Sequence, residues 1–152
     1  MVEREISVED AQKYHGITAQ HGTMHTNGEL RFRLNCSVDG TAYIRTETKG
    51  ETSGWQTAHY HRGVFETYIV QKGGVILAKF KGQDIVFDEY NPGEIFTTEK
   101  NVPHNICMLK NTVIHTIKHG EAVSNPHTGS DWWNDTDDCK KLNEISREHK
   151  ND

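Results

Sequence analysis

Residues 54–73 read GWQTAHYHRGVFETYIVQKG. His59 and His61 are two apart in a segment without helical period, and in a strand such residues leave the same face, so both imidazoles can point at one spot. Gly63 supplies a turn. Beyond it, Glu66 begins a run, ETYIVQ, that can return alongside with its carboxylate on that face. Two imidazoles and a carboxylate converging from adjacent strands make half of a metal shell.

Working outward, the chain keeps a β rhythm. Leu30, Phe32 and Leu34 alternate with Arg31, Arg33 and Asn35, and Asp39-Gly40 forms a tight turn before a second run at 41–48, which reads as a hairpin. Short runs at 56–61, 66–71, 75–80, 85–90, 94–98, 104–109 and 112–118 are separated by Gly63, Gly73-Gly74, Gly82, Pro92-Gly93, Asn101 and Asn111. Strands of this length and spacing predict an all-β barrel or sandwich. Before them, residues 1–28 are polar and read as an N-terminal arm in which Ser7 caps a short helix reaching about Tyr14. After Gly120 the tail 121–152 is polar, with a helix expected at about 135–149 whose Cys139, Leu142 and Ile145 form a narrow docking stripe. The expected organisation is a single domain over 1–152, with the barrel at 29–120.

A chain of 152 residues with 22 acidic and 17 basic side chains, net charge −5, has no basic stripe, which argues against nucleic acid as a partner. No stretch approaches the roughly 20 apolar residues of a membrane span, and MVEREISVED lacks a secretory core, so no membrane and a cytoplasmic location are the expectation. Cys36, Cys107 and Cys139 are odd in number and far apart, and read as reduced thiols.

A fourth ligand must come from elsewhere. His104 opens a later strand after Asn101-Val102-Pro103, a turn that can aim it into the barrel. Three neutral imidazoles and one carboxylate suit one divalent transition ion, Fe, Mn, Ni, Zn, Co or Cu, since the set is neither all-oxygen nor thiolate. Ligands crowded on one side leave positions for water or substrate.

These residues resemble the cupin superfamily over about Gly54 to His104. The first cupin motif, G-x4-5-H-x-H-x3-4-E-x6-G, is met in full by Gly54, His59, His61, Glu66 and Gly73. The second, G-x5-P-x-G-x2-H-x3-N, is met by Gly93 and His104, while Glu99 stands where proline is usual, Asn101 replaces glycine and Met108 replaces the last asparagine. The left-handed region that the glycine would occupy is open to Asn101. The resemblance implies a double-stranded β-helix of the jelly-roll kind, a metal in the barrel mouth held by His59, His61, Glu66 and His104, and a homodimer. It implies no single reaction, because cupins include isomerases and epimerases, decarboxylases, lyases, dioxygenases and non-catalytic binding proteins.

Around this centre, Tyr68 shares the parity of Glu66 and is the candidate proton donor or relay, with Glu66 as a second catalytic candidate. Tyr43 and Arg45 share one face of their strand, and Arg31 and Arg33 one face of theirs. An inward arginine suits a carboxylate or phosphate, but with Leu30, Phe32 and Leu34 taken as the core side, Arg31 and Arg33 are assigned to a solvated outer face. His115 and His119 are assigned structural or surface roles. Trp132 and Trp133 are expected to clasp the C-terminal helix, with a lid over the barrel mouth as the alternative. The functional expectation is a metal-dependent enzyme acting on a small polar metabolite, a sugar derivative or a carboxylate; the alternative is a binding protein for such a molecule.

Overall fold

A computed structural model describes residues 3–50 and 54–149. The capped start found at Ser7 builds helix α1, Val8–His15, with the Ser7 hydroxyl accepting from the Asp10 N–H at 3.1 Å. Among the described residues nine strands come next: β1 Ile17–Met24, β2 Leu30–Cys36, β3 Ala42–Glu47, β4 Val64–Lys72, β5 Val75–Lys81, β6 Asp84–Tyr90, β7 Ile95–Thr98, β8 His104–Met108 and β9 Val113–Gly120. They form two antiparallel sheets, β1-β2-β3-β9-β4-β7 and β6-β5-β8, which face each other as a jelly roll. Helix α2, Asp137–Glu148, begins at Thr136, whose hydroxyl accepts from the Cys139 N–H.

Alternation along each strand decides what the barrel encloses. Val70, Val75, Leu77, Phe96, Ile106, Met108 and Ile114 close one end as an apolar core. The opposite parity of β5 meets α2, where Ala58, Tyr60 and Ala78 pack on Cys139 and Leu142. The expected stripe on α2 therefore docks, although its fully buried third member is Ser146, and Ile145 is half-buried.

The structure differs from the sequence reading in three places. Residues 17–24, expected within the arm, form edge strand β1, paired with β2 from Ile17↔Cys36 to Met24↔Leu30. An edge strand is half-solvated, so its polar sequence ITAQHGTM shows no apolar alternation to detect. Residues 56–61 form no regular strand; they are extended and joined by isolated bridges His59↔His104 and Tyr60↔Trp133. Finally, β2 faces the other way. Leu34 is 48% exposed on the outer face, while Arg31 and Arg33 line the interior. At this end the interior is a polar cavity, so the charged set of β2 is the inward one, and the outer apolar set is only half-covered.

Turn chemistry holds the strands in place. Asn101 has φ 61°, and its N–H donates to the His61 carbonyl at 2.7 Å, so asparagine fills the left-handed position expected of it. A Cβ on Gly63 would lie 1.7 Å from the Glu121 carbonyl oxygen, so only glycine lets the segment after Gly120 cross there. Among the described residues Cys36, Cys107 and Cys139 form no disulfide. Among the described residues, no helix is long and apolar enough to cross a membrane.

Candidate metal centre

His59 and His61 arrive on the extended segment before β4, Glu66 on β4 and His104 on the first position of β8. The antiparallel bridge His59↔His104, with both N–H groups donating to the opposite carbonyl, ties the two segments together. One ligand atom from each of the four residues lies within 4.8 Å of all the others, and all four residues are buried. An ion with bonds of about 2.0–2.2 Å holds its ligand atoms no more than about 4.4 Å apart. Small side-chain adjustments are enough to close the shell.

The protonation pattern fits a metal. His59 Nδ1 lies 2.7 Å from the Thr57 carbonyl oxygen, His61 Nδ1 2.5 Å from that of Asp131 and His104 Nδ1 3.2 Å from that of Val102. A carbonyl only accepts, so each Nδ1 carries the hydrogen and each Nε2 presents a lone pair inward. His104 Nε2 is buried with no hydrogen-bond partner among the described residues, 3.7 Å from a Glu66 oxygen. His61 Nε2 contacts the same oxygen. Two acceptors in such contact require a cation between them, either a proton or a metal ion.

The electrostatics agree. Burial, reinforced by the neighbouring His104 and His61, holds His59 well below the usual histidine range, keeping it neutral. Burial opposes a charge on His61 as well, but Glu66 outweighs it and raises that pKa. For Glu66, burial favours the neutral acid, yet His104, His61 and the charge of Lys118 overcome it and hold the carboxyl ionised, well below its usual range.

A segment that local sequence patterns do not connect with the site supports it. The Asp131 carboxylate accepts from the backbone N–H groups of Arg62, Gly63, Val64 and Val123 and from Trp133 Nε1, while its carbonyl orients His61. Burial opposes its charge, but these donors lower its pKa. Trp132 stacks on the His59 ring with centroids 5.3 Å apart and lines the cavity beside the centre. Trp133 instead packs in the α2 cluster under the Arg62 guanidinium, so the two tryptophans divide the roles of clasp and cavity wall. No local pattern in SDWW announces this contact.

Tyr68 is 4% exposed, stacked on Phe96 at 4.7 Å, and lines the cavity. Burial first, and then the adjacent Glu66, raise its pKa well above the usual phenol value, so it is a neutral donor beside the carboxylate. His115 and His119 lie on the outer face, His115 bonded to Tyr43 and Gln71 and His119 to Thr67. Arg45 pairs with Glu47, away from the cavity.

The cavity next to the four ligands has a volume of about 780 Å³. The sequence matches no protein-family profile and no curated protein. Solved structures do match in shape. The formate complex of Lactobacillus farciminis oxalate decarboxylase superposes with a TM-score of 0.54 at 13% identity, over 77% of this chain and 33% of that one. Bacillus subtilis oxalate decarboxylase, a protein with Mn(II) centres, gives 0.54 at 11% identity over 86% and 40%. KdgF from Halomonas sp. gives 0.51 at 13% identity over 65% and 84%. This chain thus spans between a third and two-fifths of the length of those oxalate decarboxylases.

Proposed function

We propose that this chain, which has the cupin fold, is a metal-dependent enzyme that acts on a small polar metabolite at the cavity face of the His59, His61, Glu66 and His104 cluster. The carrying observation is the set of three inward Nε2 lone pairs and one ionised carboxylate within 4.8 Å, opening onto a cavity large enough for a metabolite. These residues would hold one divalent ion of the Fe, Mn, Ni, Zn, Co or Cu group, which when bound supplies Lewis acidity toward a carbonyl, carboxylate or hydroxyl oxygen.

The chain's own residues orient the ligands, exclude water and hold the proton. Backbone carbonyls of Thr57, Asp131 and Val102 fix the imidazole tautomers. Trp132 covers His59 and shields it from water. Tyr68 holds a proton beside Glu66 and is the candidate donor, with Glu66 as its partner. Isomerase, epimerase, decarboxylase, lyase and dioxygenase chemistry are all compatible with this arrangement. Manganese centres in a shape neighbour make Mn(II) the first ion to try.

The test is elemental analysis of protein purified without a histidine tag, then reconstitution and turnover assays on sugars and small acids. About one ion per chain with metal-dependent turnover is expected. A full complement of metal with ligand binding but no turnover of any of them would instead make the protein a binding module. We also propose a homodimer. Leu34, Tyr43 and Ile117, 48%, 40% and 39% exposed, form one cross-strand row on the outer face that a second copy would cover, and light scattering would give a single-chain mass if this is wrong.

A further inference from the structure

Arg33 and Lys118 line the cavity wall opposite the three-stranded sheet, and neither forms a hydrogen bond or ion pair among the described residues. Their neighbours have partners. Buried Glu29 receives Arg31 at 2.8 and 3.1 Å and Gln56 at 3.1 Å, so Arg31 is balanced. The Asp131 carboxylate is taken by backbone donors, and Asp39, at the cavity edge, accepts from the Thr41 N–H. Glu66 is a single negative charge against the two of a divalent ion. With Glu66 assigned to such an ion, Arg33 and Lys118 are left without a hydrogen-bonded anionic partner among the described residues, in a partly buried space where an unpaired cation is costly.

The strand register shows why both point inward. Asn35, Ala42, Lys118 and Glu66 form one cross-strand row of the inner face, and Arg33, Ile44, Thr116 and Tyr68 the next. Lys118 thus stands directly opposite Glu66, and Arg33 lies three strands from β4, roughly 14 Å at about 4.8 Å per strand. Ala42 and Thr116 between them are short and leave the volume open. Two buried nitrogens on this wall have no hydrogen-bond partner among the described residues, Arg33 Nε and His25 Nε2. Arg33 Nε is an obligate donor, so the group missing beside it is an acceptor.

We propose that this wall is an anion subsite, in which Arg33 and Lys118 hold a carboxylate or phosphate of the substrate while another oxygen of the same molecule reaches the His59, His61, Glu66 and His104 cluster. The substrate is thereby a bifunctional small acid and not a neutral sugar. The second contact and the charge surplus at Lys118 rest on the metal-centre reading; the unpartnered Arg33 Nε stands without it.

The experiment is calorimetric titration with malonate, inorganic phosphate and the neutral malonamide, on protein whose metal content is measured in each preparation. Wild type is expected to bind malonate or phosphate, the tighter one naming the group, and to ignore malonamide. Arg33→Gln and Lys118→Gln should each weaken that binding roughly 10- to 100-fold, the usual loss of a charge-assisted hydrogen bond. Metal content should not change, Arg33→Lys should restore part of the affinity, and Arg45→Gln on the outer face should have no effect. Should Arg33→Gln not fold, Lys118→Gln carries the same comparison. Equal binding of malonamide and malonate, no binding of either anion, or wild-type affinity in the folded glutamine variants overturns the subsite. Protein without metal whose anion binding still depends on Arg33 would retain the subsite and remove the metal centre.

Discussion

On β4, Val64 and Glu66 stand at the polar end of the barrel interior, whereas Tyr68 and Val70, on the same face of the same strand, belong to the apolar core. The neighbours repeat the division. Lys118 and Thr116 on β9 lie on the cavity side and Ile114 in the core; His104 on β8 meets the His59, His61 and Glu66 cluster while Ile106 and Met108 fill the closed end. Strand parity therefore decides which side chains face inward, and distance along the strand decides whether that interior is oil or a site. A charge placed two residues further along would be buried without a partner.

Substitutions on either side of that divide should separate binding from stability. At the polar end, His59→Ala, His61→Ala or His104→Ala should each reduce metal affinity by more than the roughly 10- to 100-fold seen when only a ligand's supporting partner is lost. The β fold should persist, as circular dichroism and elemental analysis of the same samples would show. Retention of a full metal complement in all three would break the comparison. At the boundary, Tyr68→Phe keeps the ring stacked on Phe96 and removes only the hydroxyl beside Glu66. Once a substrate is known, turnover should fall about 10²- to 10⁴-fold at unchanged metal content, the contribution of a positioned proton donor. Unchanged turnover would move Tyr68 wholly into the core.

At the apolar end, Ile106, fully buried, is the mirror case. Ile106→Ala should cost about 2–5 kcal/mol of unfolding free energy, transfer plus cavity. Metal affinity of the folded protein should barely change. Denaturant melts read the first and metal titration the second. A large loss of metal affinity would show that the two ends are mechanically coupled.

Asp131→Ala probes a smaller effect at the polar end. It strips the acceptor from four backbone N–H groups and from Trp133, so a loss of about 1–3 kcal/mol in stability is expected. Because the Asp131 carbonyl orients His61, metal affinity should fall as well, by up to about 10-fold. Stability unchanged from wild type would reduce this contact to decoration.

Much of this division is legible in the sequence, for identifiable reasons. The four candidate ligands are carried by local spacing, H-x-H plus a turn and a carboxylate, and by a turn before His104, and the structure brings all four side chains together. Strands β3 to β9 announce themselves through alternation and glycine-rich breaks. The features that stay hidden depend on long-range contact. The orientation of β2 is ambiguous in sequence because LRFRL alternates two sets that each suit an interior, and only knowledge that this end is a wet cavity chooses the arginines. β1 is too polar to register, and Asp131 works through backbone N–H groups 67 to 69 residues away, a contact with no sequence period. Lys118 is within reach of pattern alone. In VIHTIKHG it has the parity opposite to His115 and His119, and placing the histidines outside places the lysine inside.

The last prediction uses pH to count protons at the polar end. Metal binding requires unprotonated ligands, so affinity falls as pH falls, by about tenfold per pH unit for each proton that must be displaced. The three imidazoles do not contribute alike. Burial keeps His59 neutral well below the usual value near 6.5, so it has no proton to release over the range where free histidine titrates. His61 is the opposite case, since Glu66 raises its pKa above the usual one, and in metal-free protein it is the group protonated first on acidification. Glu66 stays ionised throughout. Between His61's raised pKa and the depressed pKa of His59, the centre should therefore lose metal with a slope that falls short of three protons, because His59 has none to displace. In Glu66→Gln the support for charge on His61 is gone, and the onset of that slope should shift to lower pH, even though overall affinity drops with the lost carboxylate. Metal titrations at pH 5.5, 6.5 and 7.5 on both proteins, about one pH unit apart around the histidine range, make the comparison. A wild-type slope near three would mean that all three imidazoles are equally hydrated and that the burial seen at His59 does not govern its protonation.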